Sequence, residues 1–493
     1  MKKGVFALGK VLGVVFAGAV IAFITRLGQL GILPMNLVVS LGVLLGLLVS
    51  VTVMLTWSGF GKGRMITGVA ISLVMTILLS VGASYLQKTI DTLKNITNAN
   101  SETVHMGIYV RAEDAEHYSE TATTYQYGIL ESLDRSSTDE VLRQMEEELG
   151  KAVSYQQYSS LPQLVQGLLD GQVDAIILNA AYLDVLKEMD GFKDISNRIV
   201  EVELNHVEID PPQPAQTTQS QQGEQPPKDE SSAPFTIYIS GIDTRGSANV
   251  RSRSDVNILA TVNPQSRQIL LVSTPRDYYV PLSISNGVPD KLTHAGIYGI
   301  EVSQDTIGML YDVNVDYYVR VNFSGFVEIV DALGGVTVHS DYAFSVRKDG
   351  QYYYFQKGDN YLEGKAALVF CRERDSFITG DNQRGKNQMA FIQGMVSKML
   401  SPAILSNYTN LLEAIEDSMI TSMPMEKITD LIARQLQGGG SWNVVSYSVT
   451  GTDASRIPYS LSQYVYVMLP DETMVNRAKE MIQDVYEGKV VTP

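Results

Sequence analysis

At 493 residues the chain is too long for one ordinary core and predicts two or more domains. It carries 38 Lys and Arg against 54 Asp and Glu, a net charge of −16, which excludes a broad basic face for nucleic acid. The single cysteine, Cys371, excludes an internal disulfide framework; it sits in the apolar run "AALVFC" with no histidine nearby and reads as a buried core residue, not a catalytic thiol.

The charge is unevenly spread. Before residue 87 there is no Asp or Glu, only Lys2, Lys3, Lys10, Arg26, Lys62 and Arg64. Three apolar stretches fill this region: roughly Val11–Leu33, Met35–Trp57 and Met65–Leu86. Each has the length a helix needs to cross hydrocarbon, so residues 1–90 are expected to form a three-span anchor, not a cleaved leader with its single short run. Lys2 and Lys3 precede the first span, and Lys62 and Arg64 lie in the loop "SGFGKGR". Both segments are expected in the cytoplasm, with everything after about residue 87 outside the cell. Arg26 is the dissenting charge and is expected near the outer end of its helix. This topology removes cytosolic ATP, NAD and DNA from the expected partners.

The run "QKTIDTLKNITNANSE" extends the third helix beyond the membrane. Residues 100–206 read as a small accessory α/β domain: "VHMGIYV" is a strand, "STDEVLRQMEEELG" an amphipathic helix with a Ser/Thr start and a Gly stop, and "LPQLVQGLLDGQVDAIILNAAYLDVLKEM" a helix, strand and helix. The arrangement resembles a lobe of a solute-binding protein, and no catalytic cluster is visible in it. Residues 207–234, rich in Pro, Gln and Ser, bury too little apolar surface to fold and read as a disordered linker. Residues 235–490 form the second domain. "FTIYISGID", "VNILATVN" and "QILLVST" are closely spaced strands; "EVSQDTIGMLYD", "FSGFVEIVDALGG", "KAALVF", "NQMAFIQGMVSKML" and "NLLEAIEDSM" are helical; "WNVVSYSV" and "YVYVML" are strands, and "ETMVNRAKEMIQDVYEG" closes the chain as a helix. The expected fold class is α/β, with an α-β-α sandwich in this last domain.

Charge gathers here in four segments: "GIDTRGSANVRSRSD", "TPRDYY", "DKLTHAGIYG" and "CRERDSFITGDNQRGKNQ". Loops at strand ends are where α/β folds take ligands. Arginines from separate loops suit a phosphate or pyrophosphate, whose oxygens match the guanidinium fork. Carboxylates among them make sense if a divalent cation such as Mg²⁺ sits between Asp and phosphate. The competing account is that some of these pairs are structural staples, most plausibly Arg276–Asp277. Arg245, Arg251 and Lys386 read as rim charges, and His294 as a structural histidine. "GDNQRGKN" approaches the phosphate-loop pattern, but Asn387 stands where that motif needs Ser or Thr, and no clear strand precedes it.

These segments, with "VDYYVRVNFSGFVEIVDALGGVTV" between them, resemble the LytR-CpsA-Psr proteins over essentially all of residues 235–490, in several separated motifs in the right order. Three spans plus an accessory domain look like the CpsA/Wzg capsule-locus branch. The resemblance implies a Gram-positive transferase that moves a capsular polysaccharide from a polyprenyl-pyrophosphate carrier to peptidoglycan, with Mg²⁺ as cofactor. Membrane lipid and capsule-synthesis proteins are the further partners it implies, and nucleic acid is not among them. Position by position, Asp243 and Asp255 resemble the Mg²⁺-associated aspartates. Arg253, Arg276, Arg372, Arg374 and Arg384 resemble the pyrophosphate-binding arginines, and Asp277, Asp381 and Gln388 match the polar residues that complete the site. The family commonly has Gly-Ser-Asp where this chain has Gly241-Ile242-Asp243, and Tyr where it has Cys371. Asp255, Asp277 and Arg276 are the expected catalytic residues, with the proton acceptor open between Asp255 and Asp277. The strand runs "VNILATV" and "ILLVS" are expected either to line a prenyl slot or to be core. A non-catalytic regulator that binds the polymer or its carrier is the alternative, and a transcriptional attenuator is disfavoured by the topology.

Overall fold

The computed structural model describes residues 2–56, 62–97, 101–118, 122–209, 232–244, 247–378, 380–399, 408–416, 418–438 and 440–492. The linker expected over 207–234 falls almost wholly outside these residues. Two compact units are present.

The first unit contains three helices, α1 (Lys2–Leu30), α2 (Met35–Thr56) and α3 (Lys62–Thr97), together with helices Tyr408–Glu416 and Met425–Gly438. All three of the first set are long and apolar enough to span a membrane, with mean hydropathies of 2.1, 2.6 and 2.2. They pack through Phe16, Val20, Leu45 and Leu79. The first ends at Leu30 instead of Leu33 because Gly31 takes φ +72, a left-handed stop, and Pro34 opens the next turn. As expected, α3 continues past its apolar stretch, to Thr97. Arg26 is accommodated between helices: its Nε donates to Gln87 Oε1 at 2.9 Å and its Nη1 to the Ala22 carbonyl at 3.3 Å.

The described residues of the second unit form two large sheets and four two-stranded ones. The accessory sheet comprises β1 (Glu102–Arg111), β2 (Gln126–Leu130), β3 (Ser154–Tyr158), β4 (Ala175–Asn179) and β5 (Ile199–Ile209), in the order β3-β2-β4-β1-β5. β5 runs beyond the expected boundary at 206. The apolar centre β4 is buried throughout, as a strand covered on both faces must be. The larger sheet contains β6 (Phe235–Ile242), β7 (Ser254–Asn263) and β8 (Gln268–Thr274) at its centre. Strand Tyr317–Asn322 lies parallel beside β6 and strand Asn443–Ser448 parallel beside β8, with the short strand Met419–Thr421 at one edge. Helix Glu472–Tyr486 covers one face, packing Val475, Ala478, Met481 and Val485 on Leu259, Leu270 and Val272. Helix Asp381–Met399 covers the other, setting Met389 on Ile258, Ala260 and Leu271. Most of the strand residues considered for a prenyl slot are therefore core, with Val256 and Ile269 half-buried.

The two sheets are welded within this unit. Glu102, at the start of β1, accepts Arg251 Nε at 2.8 Å and reaches Arg320 Nη1, also at 2.8 Å. Arg320 is 0% exposed. Backbone bonds from Thr103 N to Asn249 O (3.0 Å) and from Arg251 N to Thr103 O (2.9 Å) flank the pair. Arg251, expected at the rim, is thus an interdomain staple.

Candidate functional site

Strand direction brings the charged segments together. β7 runs antiparallel to β6 and to β8, so the end of β6, the start of β7 and the end of β8 share one edge, with Ile242 opposite Ser254 and Asn257 opposite Thr274. Asp243 follows β6, Arg253 and Asp255 bracket the start of β7, and Arg276 and Asp277 follow β8. The register of β6 and β7 shifts at Gly241–Ile242. A Cβ on Gly241 would come within 2.9 Å of Val256, so the close approach of the two strands needs glycine there. Ile242, which stands where the family pattern has Ser, is fully buried.

At this edge a chain of ion pairs is continuous across both domains. Arg276 Nη1 reaches Asp255 Oδ1 at 3.2 Å, and its Nε lies 3.5 Å from Asp277 Oδ2. Asp277 Oδ1 is 3.1 Å from Lys291 Nζ, which meets Glu188 Oε2 at 2.6 Å. Glu188 Oε1 is 3.4 Å from Arg253 Nη1, and Arg253 Nη2 is 3.1 Å from Asp184 Oδ2. Thr293 Oγ1 also donates to Asp255 Oδ1, at 3.2 Å. A second group stands beside the chain: Arg372 Nη2 is 3.4 Å from Asp243 Oδ2, and its guanidinium lies 4.3 Å from the centre of the Phe323 ring, within cation–π range. Arg374 pairs loosely with Asp375 at 3.3 Å.

Arg276, Asp277, Lys291 and Arg374 line a cavity of about 850 Å³ with Glu188, Lys187, Lys193, Ile378, Gly380, Asp453, Tyr466 and Met468. Its walls carry an excess of cations, the composition an anionic ligand requires.

The carboxylates differ in electrostatic state. Burial alone would raise Asp277, but Lys291 and then Arg276, with a contribution from Arg384, hold it below the usual range. Both its oxygens are committed to cations, so it serves as a fixed counter-charge. Asp243 is pushed up, chiefly by burial, with repulsion from Asp255 and Asp184 added against the pull of Arg372. Negative charge crowded at Asp243 and Asp255 is the condition that a divalent cation relieves. No group of three carboxylate, histidine or cysteine ligands forms among the described residues. Two carboxylates suffice for Mg²⁺, which keeps several waters and takes its remaining ligands from phosphate. The residues present therefore fit that ion.

The family model of the LytR_cpsA_psr family matches residues 193–482. The chain belongs to the LytR-CpsA-Psr family. Similar relatives include the polyisoprenyl-teichoic acid–peptidoglycan teichoic acid transferase TagU of Bacillus subtilis, 36% identical over 199 residues, covering 40% of this chain and 63% of that protein. The protein of the same description from Halalkalibacterium halodurans is 30% identical over 250 residues, 50% of this chain and 78% of the relative. Among solved structures, the crystal structure of B. subtilis TagV aligns with 53% of this chain and 99% of its own, at 25% identity and a TM-score of 0.44. The chain thus spans just under two thirds of the length of the Bacillus relative.

Within the LytR-CpsA-Psr domain, Asp243, Arg253, Asp255, Arg276, Asp277, Arg372 and Arg374 all come to one end of the sheet. Arg384 is half-buried on helix Asp381–Met399, close enough to act electrostatically on Asp277. Gln388 Nε2 donates to the Cys371 carbonyl at 3.3 Å, tying two helices together. The side chain of Asp381, and Arg245 altogether, lie outside the described residues. Lys386 is exposed, as a rim charge should be. His294 is fully buried, 2.7 Å from Asp290 and 3.0 Å from Ser460, both at Nδ1, and is structural. Burial raises the Cys371 thiol, which removes it as a nucleophile. Sequence reasoning missed Lys291 and the accessory residues Asp184, Lys187, Glu188 and Lys193. The signal for Lys291 was its place in "DKLTHAG"; the accessory residues sit on an ordinary-looking helix and turn, and no local pattern marks them.

Proposed function

We propose that this protein is a membrane-anchored glycopolymer transferase, with residues after about 87 outside the cell, that moves capsular polysaccharide from a polyprenyl-pyrophosphate carrier to peptidoglycan. The observation that carries this reading is the cation-rich cavity at the edge where β6, β7 and β8 end or begin, backed by the names of the relatives. Arg276, Arg253 and Lys291, with Arg372, Arg374 and Arg384 closing from the helix side, bind the two phosphates. A hydroxyl of peptidoglycan attacks the phosphorus nearer the glycan. A P–O bond forms there, the bond to the bridging oxygen breaks, and polyprenyl phosphate leaves with that oxygen and its electron pair. Positioning and charge neutralisation supply most of the rate in such transfers. Mg²⁺ held by Asp243 and Asp255 would add a fixed positive charge beside the phosphates. Among the described residues both contacts of Asp255 fall on Oδ1, which leaves Oδ2 either for Mg²⁺ or for the hydroxyl proton, whereas both oxygens of Asp277 are held by cations. Asp277 holds Arg276 and Lys291 in position.

The full chain in lipid nanodiscs, given a prenyl-pyrophosphate-linked glycan, Mg²⁺ and peptidoglycan, is expected to release prenyl phosphate and attach the glycan. Arg276→Ala and Asp243→Ala are each expected to lower both by about 10²-fold or more. Unchanged transfer in these variants ends the catalytic reading. A second reading, a carrier-binding regulator, draws on one observation: carboxylates of the accessory domain already neutralise Arg253. It requires binding of the carrier without release of prenyl phosphate.

A further inference from the structure

Helix Met425–Gly438 belongs to the same compact unit as the three apolar helices. Its depth can be read from neighbours. Arg26 on α1 and Gln87 on α3 are joined at 2.9 Å, and a charged side chain at that height marks the end of the hydrocarbon-spanning stretch. Just beyond, Glu416 gathers Lys88 (2.6 Å), Asn95 (2.8 Å) and Thr92 (3.3 Å) from the polar continuation of α3. The turn after α1 lies beyond Arg26 on the same side, and Thr429 meets it: a Cβ on Gly31 would stand 3.6 Å from Thr429 Oγ1. The helix therefore sits level with the span ends.

Its two faces differ. Thr429 and Ala433 are buried. Next to them on the helix surface Ile432 is 39% exposed and Leu436 68% exposed, with Ile428 one turn earlier on the same line. The opposite side is polar, with Asp430 and Arg434 paired at 2.8 Å and Gln437 exposed. An apolar strip continuous with the contact to the span ends, and backed by a polar side, is the pattern of a helix lying in the lipid–water boundary.

We propose that helix Met425–Gly438 is a membrane-surface helix, and that Ile432 and Leu436 enter the headgroup–acyl boundary of the leaflet reached by the α1–α2 turn. The occupant of the strip is lipid, because the unit that carries it is already embedded there. This inference is independent of the chemistry at the cavity.

The test places an environment-sensitive fluorophore at Leu436→Cys, Ile432→Cys or Gln437→Cys in the full chain with Cys371→Ala, in nanodiscs of phosphatidylcholine and phosphatidylglycerol. The first two labels are expected to emit at shorter wavelength than the third, to be quenched several-fold more by lipids bearing a nitroxide on the acyl chain, and to be shielded from iodide. Equal quenching of all three by iodide overturns the proposal. Shielding of the Leu436 label from both quenchers also overturns it, because a protein surface such as a second copy then covers the strip.

Discussion

Arg253 and Arg372 bring the same side chain to the same end of the sheet and are held in opposite ways. Arg253 is 12% exposed and gripped by two carboxylates of the accessory domain, whereas Arg372 is 46% exposed, with one 3.4 Å contact and a ring beneath it. The difference separates an inner wall, preorganised by its own counter-charges, from an outer wall on the helix side that has weak commitments. An inner cation must exchange a carboxylate for a phosphate. An outer one gains a partner at little cost, since exposed pairs contribute little. The domain weld, the inner wall and the outer wall should therefore respond to substitution in a graded way.

The largest effect is expected at the weld that holds the inner wall in place. Glu102→Ala leaves Arg320 buried without its carboxylate, a change that costs about 3–5 kcal/mol. Denaturant unfolding of the full chain reads it, and a loss below about 1 kcal/mol would mean the weld is ornamental. For the same reason residues 235–493 alone are expected to be less stable than residues 99–493. Next, Arg276→Ala is expected to lower transfer by about 10²–10³-fold, the usual consequence of removing a preorganised donor to developing charge. Arg372→Ala is expected to cost about tenfold or less, in line with its exposure. Kinetics on the two variants side by side break the comparison if the order reverses.

Glu188→Gln acts in the other direction. It removes a carboxylate that competes with phosphate for Arg253 and Lys291, and is expected to tighten binding of a prenyl pyrophosphate by a few-fold. Weaker binding would assign Glu188 a purely positioning role. The smallest effect concerns acid. Asp277 and Glu102 both have carboxyls held below their ordinary values of 3.8 and 4.5. Their stabilisation is fully present above those values and is lost as pH falls through the lowered folded ones. Stability is therefore expected to fall with acid below about pH 4, with a shallower decline in Asp277→Asn.

Much of this was legible in the chain. The three long apolar helices showed as long apolar runs, the first interrupted by Arg26, and the strands before Asp243, around Asp255 and before Arg276 showed as apolar segments ended by turn residues. Antiparallel β6, β7 and β8 deliver Asp243, Arg253 and Arg276 to one edge, and Arg372, at the end of helix Gly364–Arg372, reaches Asp243 there. The rest depended on long-range packing. Glu188 meets Lys291 across 103 residues, and Glu102 meets Arg320 across more than twice that separation, so no local periodicity records either contact. Gln388 also carries a tie that its motif does not record, from Nε2 to the Cys371 carbonyl. Segment "NLLEAIEDSM" split into helix Tyr408–Glu416 and edge strand Met419–Thr421, since Glu416 is drawn to Lys88, Thr92 and Asn95 on α3.

The central claim, that these cations form a diphosphate site, is tested most directly by calorimetric titration of the full chain with a short prenyl pyrophosphate and with the matching monophosphate, in wild type and Arg276→Ala. Tighter binding of the diphosphate in the wild type, with the preference lost in the variant, is expected. Equal affinity for both ligands, or a preference that survives Arg276→Ala, would contradict it.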